Sequence, residues 1–323
     1  MKKNILVFVL PFIFVSGLLG GYFLHIYSIK CEYNFQFINK SFNCGASHVI
    51  EKANLADLKQ RLNSYIDLNK KSGSITEASV YFRDLHEGPT LGINDEEVYF
   101  SASLLKLPIA LVFFKLKEDE APDILSRIID FKITEEYKPE PQAYKPAKTV
   151  GVGKKYTTQD LIFYSLVYSD NLANEVLKST LNKIDNNRKL ALNTFIDLGL
   201  VIPKTDEAPD LSTRAYASIF RILYNAAYLN IEDSEKVLSI LADSEFDRGI
   251  SAGVPKDIRV ANKFGDRKLE NEKQLHDCGI VYYPNNPYLI CIMTRGKDLK
   301  ALEKFIAGMS EMVYAEVDSR KIK

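Results

Sequence analysis

The sequence predicts an α+β fold: an antiparallel sheet built from both ends of the chain, helices packed on it, an all-helical lobe between, and a transmembrane helix at the N-terminus. Three observations predict it. Runs of strand composition fall near both ends of the chain, over 78–82, 258–264, 276–283 and 288–294. The middle of the chain carries apolar or amphipathic helical segments instead. One unbroken apolar run, 5–27, stands apart at the start. Strands from both ends with helices between give a two-lobed molecule, and a pocket is expected where the lobes meet.

In chain order, Lys2 and Lys3 precede the 5–27 run, which is long enough to span a bilayer. No small-x-small cleavage site follows, so residues 1–29 read as an uncleaved anchor at the cell membrane, with the lysines cytoplasmic and the bulk of the chain outside. A cleavable signal releasing a secreted or periplasmic chain is the alternative. Residues 30–52 are an aperiodic juxtamembrane segment, where Cys31 and Cys44 can pair in an oxidising compartment. Residues 53–323 form the main domain. Leu55, Leu58, Leu62, Tyr65 and Ile66 follow helical spacing and stop near Gly73. A strand over 78–82, a turn at His86-Glu87-Gly88-Pro89 and a short second strand come next. The apolar run 109–114 is a helix, and 118–156 is a charged, proline-rich excursion.

Gly151-Val152-Gly153-Lys154 lacks the spacing of a phosphate loop and reads as a turn. Thr157 with Asp160 makes a capping-box start to a buried helix over 161–168. Helices are expected over 172–181, 188–198, 213–227 and 234–243. The strands 276–283 and 288–294 form a hairpin across Pro284-Asn285-Asn286-Pro287, with Cys278 and Cys291 as small buried hydrophobes in neighbouring strands. Leu302, Phe305, Ile306, Met309 and Met312 mark a final helix.

Composition excludes several functions. Basic and acidic residues balance at 42 each, which is not the basic surface a nucleic-acid binder needs. The four histidines form no His-x-x-x-His pair and no Cys-x-x-Cys occurs, so neither a metal nor a cofactor is expected.

Three polar triplets stand at the ends of apolar elements: Ser103-x-x-Lys106, Ser169-Asp170-Asn171 and Lys263-Phe264-Gly265. Positions three apart share a helix face, so Ser103 and Lys106 sit side by side at a helix N-terminus, where unpaired N–H groups favour developing negative charge. A serine beside a desolvated lysine is a nucleophile activated without histidine. Interior-facing polar groups at such places are costly unless they are partnered.

This ordered set resembles the motifs of the class A β-lactamases and penicillin-binding peptidases. The flanks 250–255 and Asp210-Leu211-Ser212-Thr213 resemble that family too, over about residues 75–317. The resemblance implies that Ser103 forms an acyl-enzyme, with Lys106 as base. Ser169 relays a proton to the leaving nitrogen, and Lys263 holds Ser169 and attracts a substrate carboxylate. Asn171 binds the substrate amide or Lys106. The backbone N–H groups of Ser103 and of Asp266, which follows Gly265, form the oxyanion hole, at about 3 kcal/mol per donor. Asp170 is an orienting buried carboxylate or a helix cap.

Two departures stand out. Phe264 replaces the family's threonine, and Cys278 replaces an arginine, leaving Arg267 or Arg295 as candidate helpers. The stretch 198–210 has no Glu-x-x-Leu-Asn, and Asp206 and Glu207 are the only acids placed to serve as deacylation base. Three readings follow: a β-lactamase-like serine hydrolase; a D,D-carboxypeptidase or transpeptidase acting on cell-wall peptides; and a non-catalytic envelope protein retaining the fold.

Overall fold

The computed structural model describes residues 35–40, 55–86, 88–130, 142–185, 189–200 and 209–320. The expected anchor over 5–27, Cys31, Cys44, Asp206 and Glu207 lie outside these residues. No helix among the described residues is long and apolar enough to cross a membrane.

A five-stranded antiparallel sheet joins both ends of the domain. Its strands are β1 (Glu77–Asp84), β2 (Thr90–Ile93), β7 (Val260–Lys268), β8 (Lys273–Val281) and β9 (Tyr288–Gly296), in the order β2-β1-β9-β8-β7. The β1–β9 ladder closes the sheet from the two ends of the chain, with Tyr81 opposite Cys291. Four short strands lie outside it in two ribbons: β3 (Val98–Phe100) pairs with β6 (Asp210–Ser212), and β4 (Ile128–Asp130) with β5 (Lys155–Thr157).

Helices cover both faces. α1 (Ala56–Lys71) buries Leu58, Leu62 and Ile66, and α8 (Leu299–Ser319) buries Leu302, Phe305, Ile306 and Met309, in one shared core under the sheet. Tyr65 of α1 stacks on Phe305 of α8 at 5.3 Å. The opposite core holds the helical lobe: α2 (Lys106–Asp119), α3 (Thr158–Val167), α4 (Asn171–Ile184), α5 (Lys189–Asp197), α6 (Thr213–Tyr224) and α7 (Ile231–Leu241). α2 is apolar nearly all round and is buried accordingly. α3 starts on the expected capping box, with Asp160 N donating to Thr157 Oγ1 and Thr157 N to the Asp160 carboxylate.

Three differences from the sequence reading have physical causes. The strands expected over 258–264 and 276–283 instead form a hairpin of nine residues each, out to Lys268 and back from Lys273, because backbone pairing carries the ladder past the apolar run. The β3–β6 and β4–β5 ribbons are three residues per strand, too short to show a period. Cys278 and Cys291 are not free hydrophobes. The β8–β9 register sets them opposite one another, and their sulfurs are joined in a disulfide.

The segment 35–40 is stapled onto the domain. Phe37 and Ile38 are buried, and the Glu235 carboxylate of α7 accepts the backbone N–H groups of Gln36, Phe37 and Ile38 at 2.6–2.9 Å. Asn39 N donates to Tyr224 O, and Tyr282 Oη to Phe37 O. Hydrogen bonds to a charged acceptor contribute about 1.5–3 kcal/mol. Glu235→Ala is therefore expected to lower unfolding stability by about 2 kcal/mol in a urea titration. An unchanged midpoint would mean that the segment is only resting on the surface.

Candidate active site

Ser103 lies in a 3-10 turn, Ala102–Leu105, that runs directly into α2 and places Lys106 at the first α-helical position. Ala102, just before it, has φ +46°, a left-handed conformation that costs a non-glycine residue about 1–3 kcal/mol unless its surroundings hold it. Two contacts hold this turn. Tyr216 Oη donates to Leu104 O at 2.9 Å. Gly265 of β7 abuts the turn so closely that an added Cβ would sit 3.2 Å from Ser103 N and 3.1 Å from Leu104 Cγ. The glycine is required by this approach of two backbones, which also brings the N–H of Ser103 close to the residue preceding Asp266.

Lys106 is 3% exposed, and its Nζ donates to Asn171 Oδ1 at 2.7 Å, Ser169 O at 2.5 Å and Ser169 Oγ at 3.1 Å. These contacts enclose the amine among three oxygens. Burial, then the neighbouring Lys263 charge, hold its pKa well below the ordinary lysine range. Lys263 is fully buried. Its Nζ donates to Ser169 Oγ at 3.0 Å and Phe264 O at 3.1 Å and lies 4.6 Å from the centre of the Phe264 ring. Burial lowers its pKa to about 7, against the opposing pull of Asp277 and Asp266. The Ser169 hydroxyl is thus placed between two amines, on a residue whose own φ is +53°.

The carboxylates around these amines have distinct tasks. Asp170 caps α4 through Leu172 N at 2.9 Å, and its other oxygen takes Val150 N and Thr149 Oγ1. It is both the orienting carboxylate and the helix cap. Asp277 is fully buried between Asn262 Nδ2 and Ile250 N, both at 2.8 Å, and burial pushes its carboxyl up to about 6. Asp266 accepts Ala143 N at 3.3 Å, and burial raises its pKa against the pull of Ala143 N–H, Lys106 and Lys263.

The structure brings Lys106, Ser169, Asn171 and Lys263 into direct contact, with Ser103, Gly265 and Asp266 beside them. Arg295 is engaged elsewhere, paired with Glu97 at 2.8 Å over the Tyr99 ring, and Arg267 stacks on Phe100 at 3.7 Å. Phe264 stacks on Phe246 at 4.1 Å and meets Tyr144 edge-on at 5.7 Å. Sequence reasoning missed Gln142, whose Nε2 donates to Ser169 O at 2.9 Å. It also missed Tyr216 and the Asn262–Asp277 pair. Only Asp277, the one acid in β8 and beside the apolar run 278–283, carried a visible signal.

A lysine that is neutral when folded and charged when unfolded binds fewer protons in the native state. Stability then rises with pH between the folded and unfolded values, here from about 7 for Lys263 toward the ordinary 10.5. The slope is at most about 1.4 kcal/mol per pH unit for each such lysine. Denaturation midpoints are expected to climb from pH 7 to 9, and Lys263→Met to remove about one lysine's share of that slope. Equal slopes in both proteins would show that Lys263 stays protonated in the fold.

A family profile described as "Beta-lactamase enzyme family" matches residues 57–317. Among solved structures, PBP-A superposes with a TM-score of 0.67 at 21% identity, covering 84% of this chain and all of that one. A mutant of PBP-A, solved as an acyl-enzyme complex with penicillin G, superposes with a TM-score of 0.67 at 19% identity, covering 84% of this chain and 100% of that one. A β-lactamase from Xanthomonas campestris gives 0.65 at 16% identity, covering 80% of this chain and 98% of that chain. At these identities the superpositions speak for the fold, and the profile match over most of the chain places this protein in the β-lactamase enzyme family.

Proposed function

We propose that this protein is an active-site serine hydrolase that opens β-lactam amides through an acyl-enzyme on Ser103. The observation that carries the reading is the pair of desolvated lysines on one hydroxyl, Lys106 and Lys263 on Ser169 Oγ, one turn from Ser103. Ser103 Oγ attacks the amide carbon and gives its proton to the neutral Lys106 Nζ. The backbone N–H groups of Ser103 and Asp266 hold the oxyanion. As the C–N bond breaks, Ser169 Oγ passes a proton to the leaving nitrogen and is reprotonated through the lysine pair. Asn171 fixes Lys106 through its amide oxygen. Water then releases the acyl group.

A second reading rests on a specific feature of the chain. The stretch 198–210 lacks Glu-x-x-Leu-Asn, which favours slow deacylation and so a penicillin-binding peptidase acting on cell-wall peptides. Asp206 and Glu207 stay in the proposal as candidate bases for release. The Cys278–Cys291 disulfide supports work in an oxidising compartment outside the cytoplasm, with the 5–27 run as the anchor.

Intact-mass spectra with benzylpenicillin over time test this. A Ser103-linked adduct that forms and clears is the expected β-lactamase outcome, and one that persists for hours identifies the peptidase. Ser103→Ala is expected to abolish the adduct, and Lys106→Ala to slow its formation by about 10²–10⁴-fold. Folded protein with no adduct from benzylpenicillin or from its methyl ester would sink both readings.

A further inference from the structure

One charged group at the cleft is absent from the mechanism above: the Asp266 carboxyl. Its backbone N–H is assigned to the oxyanion, and its side chain reaches the 142–143 segment. Gly265, the residue before it, abuts the backbone of Ser103. Asp266 Oδ2 accepts the N–H of Ala143, whose neighbour Gln142 reaches across to Ser169 O. Asp266 is also within electrostatic reach of both Lys106 and Lys263. A carboxylate therefore stands beside the Ser103 turn and the lysine pair.

Among the described residues, the lysines that act on it are turned to other partners. Lys263 Nζ is committed to Ser169 Oγ and Phe264 O under the Phe264 ring, and Lys106 Nζ to Ser169 and Asn171. Arg267 projects from the other side of β7 onto Phe100, and Arg295 is paired with Glu97. The Phe264 position offers only a ring, closed in by Phe246 and Tyr144. Asp277 adds a second acid behind Lys263.

We propose that Asp266 is a charge filter, making this site select acyl donors that carry no negative charge beside the scissile carbonyl. Amide- or ester-capped donors then enter more readily than free acids. The proposal rests on the acyl-enzyme reading for its substrate, and the test separates the two.

Two reagent pairs of matched shape measure it at pH 8. The first is benzylpenicillin against its methyl ester, read as acylation of Ser103. The second is iodoacetate against iodoacetamide, read by peptide mass as alkylation at position 103 of the Ser103→Cys variant, which needs no acyl chemistry. Asp266→Asn is expected to raise the anion-to-neutral rate ratio about tenfold in both pairs, the size of one nearby charge in a partly screened site. Asp266→Glu is expected to leave it low. Should the Asn variant not fold, the salt series on Ser103→Cys decides: a ratio rising with ionic strength supports the filter, and a falling one overturns it. An alkylation ratio unmoved by Asp266→Asn also overturns it. A response in alkylation with no acylation by either penicillin keeps the filter and removes the acyl-enzyme reading.

Discussion

The Ser169 hydroxyl lies 3.1 Å from Lys106 Nζ and 3.0 Å from Lys263 Nζ, with both amines shut away from water. Two ammonium ions at such a separation repel, and burial removes the solvent that would screen them. The protein lowers this cost by letting protons leave, so the affinity of both lysines for a proton falls together. The same constraint supplies a base at neutral pH and a hydroxyl poised to pass a proton. Much of the surrounding structure serves to keep that arrangement from relaxing.

The scaffold does so from three sides. Asp170 ties the start of α4 to the 149–150 segment, fixing Ser169 and Asn171. Asp277 ties β8 to Asn262 and to Ile250, which backs Lys263. Gly265 and Tyr216 press the turn of Ser103 against β7 while Ala102 stays in a left-handed conformation. Strain of that kind persists only where neighbours over-determine the backbone.

Much of this was legible in the chain. The antiparallel sheet from both ends followed from where the strand-like runs fall, and the three triplets followed from polar residues placed at the ends of apolar elements. Lys106, Ser169, Asn171 and Lys263 meet because those ends converge. The missing pieces have no sequence period. Three-residue ribbons carry too few positions to show alternation. The Cys278–Cys291 bond depends on register, which composition does not encode. Gln142 comes to the site through loop geometry, and a loop's path is not written in hydrophobic spacing.

The site therefore differs from a simple positive funnel. Its lysines turn inward to a hydroxyl, and the Asp266 carboxyl stands beside them. The direct measurement of this account is a pH titration of the lysine side chains by NMR in protein carrying ¹³C at the lysine ε-carbons, with Lys106→Met and Lys263→Met for assignment. The account predicts two resonances that titrate far below the others, that of Lys263 near pH 7. Lysines that all titrate together near the ordinary value of about 10.4 would contradict it.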